Sequence, residues 1–233
     1  MISIIRFVFV LAMVFTVVGC ASFQTDELTA EESNNLGDKT VVMSRYSELP
    51  DFPAKTATNV QFGILGHATA VSNGNAMIED NNIEDPAVEI SKQLVQGLEN
   101  GYGLTIIESD AKLDGPGELN DIAEVYKGAD YVLDVRTVGW NSFYFKSDWN
   151  SYRVSYAAHA RLVDTNGMAV IAEEVCNFSP EFEDTNDAPS YDELKNGEGL
   201  RRELGKAVSY CVDYIATMAK LHHQEKIDTA SSR

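Results

Sequence analysis

Cationic side chains are scarce in this chain: 18 Lys and Arg face 36 Asp and Glu, for a formal charge of -18. That shortage argues against nucleic acid as a partner, because phosphates demand Lys and Arg. It argues equally against electrostatic docking on anionic headgroups. Cysteine is sparse too, with three in the chain and no C-x-x-C pair to support a redox role. G-x-S-x-G, P-loop and H-E-x-x-H signatures are missing. The four histidines, His67, His159, His222 and His223, are scattered, and the last two suit a solvated helix end. Asp80-Asn81-Asn82-Ile83-Glu84 has the polarity of a calcium loop. Asp85 stands where the turn glycine belongs, however, and Ser91 where the bidentate glutamate belongs. Gly197-Glu-Gly199 falls inside an expected helix and follows no strand, so it is no phosphate cradle. The expectation is a protein without cofactor, metal site or catalytic residues, and not an enzyme.

No apolar run reaches the roughly 20 residues that span a bilayer. Phe7 to Val18 is shorter, follows Arg6 and precedes Gly19-Cys20, which is the layout of an export signal. Val17-Val18-Gly19-Cys20 resembles the lipobox of bacterial lipoproteins. The resemblance implies that residues 1–19 are removed and that Cys20 is acylated, palmitate included, and holds the chain on a membrane. Ala21 follows where an aspartate would imply retention at the inner membrane, so the outer membrane is implied, with the domain facing the periplasm.

Residues 20–38 are rich in Ser, Thr, Asn, Asp and Glu and poor in large apolar groups, which predicts a flexible acidic tether. Residues 39–222 are enough for one globular domain, and 223–233 read as a disordered tail. Cys176 and Cys211 remain once Cys20 is acylated, and in an oxidising compartment two thiols are the number that pairs.

Thr40 to Arg45 reads as an edge strand and Val60 to Leu65 as a strand. Asp85-Pro86 starts a helix whose Ile90, Leu94 and Leu98 form one apolar stripe. Leu104–Glu108 is a short strand, Leu119–Lys127 a helix and Tyr131–Trp140 a strand. Arg153–Asp164 alternates strictly, turns at Asp164-Thr-Asn-Gly167 and returns as Ala169–Cys176. Ser190 and Glu193 make a capping box for a last helix carrying Cys211 on its apolar stripe. A hairpin register with Gly167 left-handed puts Cys176 on the face of Tyr156, Ala158 and Leu162, where that helix packs. Asp134, Arg136 and Arg161 share the other face, where a solvated ion network is expected. The order β-α-β-α-β-β-β-α predicts an α+β fold, a single two-layer domain with a mixed sheet.

That order, with Gly128-Ala-Asp-Tyr-Val-Leu133 and Arg161-Leu-Val-Asp-Thr-Asn-Gly167, resembles a group of outer-membrane lipoprotein domains. These are the activators of penicillin-binding proteins, the curli-secretion lipoprotein and TolB N-terminal-like modules. The Cys176/Cys211 pair and an aromatic loop depart from that pattern. In that loop Trp140, Phe143, Tyr144, Phe145, Trp149 and Tyr152 crowd one connection between strands. These rings fold back over the core end, or protrude and dock a partner, as aromatic hot spots do, or anchor at a membrane interface. Tyr144 and Trp149 are expected to be exposed and Trp140 buried. The leading function is a lipid-anchored adaptor that binds another envelope protein. The alternatives are a self-assembling homo-oligomer of a secretion or surface complex, and an envelope hydrolase.

Overall fold

A computed structural model describes residues 24–222 of the chain. The signal segment, Cys20 and the 223–233 tail lie outside the described residues. No helix among the described residues is long and apolar enough to cross a membrane.

The centre of the molecule is a mixed sheet in the order β3-β1-β4-β5-β6. Its strands are β1 (Thr40–Met43), β3 (Thr105–Ile107), β4 (Tyr131–Tyr144), β5 (Tyr152–Asp164) and β6 (Ala169–Phe178). β1 runs parallel to both β3 and β4, while β4, β5 and β6 form an antiparallel meander. A short β2 (Ala54–Lys55) pairs in parallel with Ser142 and Phe143 near the far end of β4. The chain is therefore an α+β domain, as the pattern of elements predicts.

One face of the sheet carries the main core. α3 (Pro86–Tyr102) and α6 (Glu198–Met218) lay Ile90, Leu94, Leu98, Leu200, Leu204 and Ile215 onto Leu133, Val135, Tyr156, Ala158 and Leu162. Asp85 caps α3, its Oδ1 accepting from the Ala87 amide at 3.0 Å. The Cys176–Cys211 disulfide ties β6 to α6 across this core, and both residues are fully buried. On the opposite face α4 (Leu119–Val125) covers a smaller cluster of Val42, Leu113, Ile122, Tyr126, Val132 and Val163.

Four expectations need correction. Val60–Leu65 is not a strand: Asn59–Phe62 is a 3-10 turn and α2 (Gly63–Asp80) follows it directly. A Cβ on Gly66 would sit 1.7 Å from the Asn59 carbonyl oxygen, and one on Gly74 1.6 Å from that of Phe52. These two glycines let α2 lie directly against the 52–59 backbone, and that contact overrides a locally strand-like run. The strand duty falls instead to β1, which is interior rather than an edge, with Val41 buried on one face and Val42 on the other.

The tether is the second correction. Asp26 bridges Glu173 of β6 by two 2.8 Å backbone hydrogen bonds, and α1 (Ala30–Asn34) opens on a Thr29–Glu32 capping box. Leu28 and Leu36 are buried in the main core, so residues 24–38 belong to the folded body. Third, the hairpin turn differs in detail. Asp164 pairs with Ala169, the left-handed residue is Met168 (φ 50°) rather than Gly167, and the register shifts at Leu162/Val163. The Asp164 carboxylate accepts from the Asn166 and Gly167 amides and sets this longer turn. Cys176 nevertheless lies opposite Ala158, on the face that parity requires. Fourth, the Ser190–Glu193 capping box opens only a short α5 (Tyr191–Lys195). Gly197, left-handed at φ 79°, separates it from α6.

Candidate functional site

β4 and β5 alternate, so Asp134, Arg136, His159 and Arg161 all leave the main core for the opposite face. Asp134 is completely buried there and its carboxylate is saturated. Ser44 Oγ and Tyr46 OH each donate to Oδ1 at 2.7 Å, and Arg161 donates through Nε at 3.0 Å and Nη2 at 2.5 Å to Oδ2. Arg161 Nη2 also donates to the Gly117 carbonyl at 2.7 Å, and Arg136 donates to that of Pro116. The network is thus buried, not solvated as expected from the sequence, because Arg161 and Arg136 also cap the carbonyls of the 115–117 loop above it. Burial first, and then the Asp134 charge, push the Tyr46 phenol far above its usual range, so it stays protonated.

His159 reaches Glu173 across the β5–β6 pair, Nε2 to Oε1 at 2.5 Å. Burial, with Arg161 and Arg136 adding repulsion, holds the imidazole below its ordinary pKa although Glu173 pulls it up. A neutral ring donating from Nε2 suits that contact. Beside this network a cavity of about 270 Å³ is lined by Tyr46, Glu48, Asp85, Arg136 and Thr137. Asp85 is committed there: it caps α3 and accepts from Thr137 Oγ1, and burial raises its pKa. Among the described residues no group of three His, Cys, Asp or Glu could hold a metal ion.

The six aromatic residues divide into separate sets. Trp140 and Tyr152 are buried on the helix face. Trp140 packs edge-on to Phe52 at 5.4 Å, and its indole Nε1 donates to the Pro50 carbonyl at 2.8 Å. Tyr144, expected to be exposed, is half-buried: it packs on the main core and stacks on Phe143 at 4.9 Å. Phe143 and Phe145 are half-buried as well, and Trp149 alone of the six is exposed, at 61 %. The connection is a long ribbon, because β4 and β5 stay paired out to Tyr144↔Tyr152. The loop beyond it is closed by Asp148, whose carboxylate accepts from Asn150 N and Ser151 Oγ.

On the outer side of this ribbon lies a groove of about 330 Å³ lined by Asn141, Phe143, Phe145, Lys146, Arg153 and Ser155, with Tyr144 and Ser179 at its margins. Arg153 lies over the Phe145 ring at 5.1 Å, and Phe182 meets that ring edge-on at 5.9 Å. Two cations on aromatic walls stand out on so acidic a chain. Arg153 and Ser155 were legible, because the inward Val154, Tyr156 and Ala158 force them outward. Phe182 comes from an acidic loop with no periodic signal. His67 sits at a neighbouring cleft with Lys55, Val60 and Phe143, and His222 Nδ1 donates to the Ala216 carbonyl at 2.8 Å. His223 lies outside the described residues.

No family of known sequences matches the chain, and no curated protein does. Solved structures are similar in outline only. A PelC dodecamer from Paraburkholderia phytofirmans shares 14 % identity over 88 % of this chain and 99 % of that one, with a TM-score of 0.38. Protein XCC0632 from Xanthomonas campestris shares 8 % over 85 % and 94 %, with a TM-score of 0.40. The lipoprotein GNA1162 from Neisseria meningitidis shares 15 % over 77 % and 99 %, with a TM-score of 0.30. Likeness at this level carries no assignment of activity, partner or assembly.

Proposed function

We propose that this chain is a lipid-anchored protein of the bacterial envelope, held at the outer membrane through acylated Cys20, and that it is a non-enzymatic module binding another envelope protein. The observation that carries the binding role is the groove along the outer side of the β4–β5 ribbon. It offers ring faces from Phe143 and Phe145 and two donors of positive charge, Lys146 and Arg153, at one place. A partner segment bearing an acidic side chain beside an aromatic or aliphatic one meets both features. The non-enzymatic part is supported by the state of the polar groups. Asp134 is saturated, the Tyr46 phenol is locked, His159 is engaged by Glu173, and the two described cysteines are bonded to each other.

Photo-crosslinking in intact cells tests the groove. A photoreactive residue at Lys146 is expected to give one discrete adduct, and Arg153→Glu is expected to abolish it while the melting temperature holds. An adduct of twice the chain mass would move the reading to self-assembly. No adduct, or one indifferent to Arg153→Glu, would remove the groove as the binding site.

A further inference from the structure

Among the described residues the three most exposed large apolar side chains lie together at the start of α2. Phe62, Ile64 and Leu65 are 66 %, 88 % and 78 % exposed, with Val60 beside them. From Thr56 to Ile78 the sequence contains no Asp, Glu, Lys or Arg, although 23 % of the chain is charged. Contiguous exposed apolar side chains of this size mark a contact surface.

The fold also shows which end of the molecule these residues occupy. β2 pairs with Ser142 and Phe143, so the segment leading into α2 sits at the ribbon end of the sheet, where Trp149 is also exposed. The N-terminal segment heads the same way. Asp26 bridges β6 antiparallel at Glu173, and β6 itself runs toward the ribbon end, where Phe178 pairs with Tyr156. Gln24 and Thr25, the described residues before Asp26, therefore leave toward that end. Glu173 is level with Arg161, and Phe143 with Arg153, a separation of about 26 Å along β5 at ~3.3 Å per residue. Cys20 is six positions before Asp26, a reach of up to about 20 Å. Fully extended, that length covers most of the separation, so a lipid on Cys20 can reach the end of the domain that carries Phe62, Ile64 and Leu65.

We propose that this end of the domain is a lipid-facing surface, and that Phe62, Ile64 and Leu65 dip into the same bilayer that holds the acyl chains of Cys20. This rests on the anchoring reading above. A chain of -18 is repelled by anionic headgroups over most of its surface, and the uncharged nose of α2 is the part that can approach them. Rings and branched side chains at such a surface settle about 5–10 Å below the headgroups.

The test uses the mature, acylated protein in vesicles of phosphatidylethanolamine and phosphatidylglycerol. With Cys20 acylated and Cys176 bonded to Cys211, a thiol introduced by Leu65→Cys is the one that takes a fluorophore. Lys127→Cys, exposed after α4 at the opposite end, is the reference site. Doxyl-labelled lipid is expected to quench the label at 65, with a blue shift, and to leave the label at 127 unchanged. Equal emission at both sites from protein that floats with the vesicles would overturn the inference and leave the anchor intact. Label–label excimers at 65 without doxyl quenching would also overturn it, in favour of contact between two copies. Protein that fails to float at all would overturn the anchoring reading and this one together.

Discussion

His159 sits where three kinds of force meet, and their balance gives the chain a directional response to acid. Burial and the Arg161 and Arg136 charges hold its pKa below the ordinary 6.5, against the pull of Glu173. Between that ordinary value and the lower folded one, the unfolded chain takes up a proton that the folded chain refuses. Stability is therefore full above about pH 6.5 and falls as the pH drops through the folded value. Urea unfolding at intervals from pH 8 to 5 should show this decline, and His159→Gln should flatten it. A steeper decline in the variant would mean that the imidazole is not its source. Asp134, buried on the same face, accepts four hydrogen bonds, and its partner Arg161 reaches the Gly117 carbonyl, so Asp134 and His159 differ in role. One is a fixed strut for the 115–117 loop, and the other is a titrating contact between β5 and β6.

At the scale of elements, the β4–β5 ribbon joins a rigid root to a bare tip. Trp140 is wedged against Phe52 and hydrogen-bonded to Pro50, whereas Trp149 meets solvent. Trp140→Ala should cost about 3–5 kcal/mol, as truncating a buried ring does, and Trp149→Ala less than ~0.5 kcal/mol, as surface changes do. Thermal and chemical melts of both variants check the split; equal losses would mean that the tip is packed. The meander behind this ribbon was legible because β5 alternates strictly and Asp164-Thr-Asn-Gly167 announces a turn. The parity that seats Cys176 opposite Ala158 followed from the need to face Cys211. α2 was not legible. Its residues show no clear apolar stripe, its glycines read as loop, and its first turn is dense in apolar groups. The approach of Gly66 and Gly74 to the 52–59 backbone is a tertiary contact that no local pattern announces. The stretch 24–38 failed for a related reason: two isolated leucines, Leu28 and Leu36, are buried within a polar composition.

For the molecule as a whole, the proposed anchoring turns on Cys20. Cys20→Ser should accumulate unprocessed or soluble chain, because the thiol proposed to take the lipid is gone. Fractionation with labelled palmitate checks this. Unchanged outer-membrane recovery of the variant, with no label in the wild type, would remove the anchor. The disulfide has a consequence for how such a chain matures. Three cysteines can pair in three ways, and only Cys176 with Cys211 joins β6 to α6. Until β6 and α6 have docked, only the shorter loop favours that choice over a bond to Cys20, by about 1 kcal/mol. Acylation would withdraw the third thiol before it could compete, so that one modification both tethers the protein and leaves oxidation a single product.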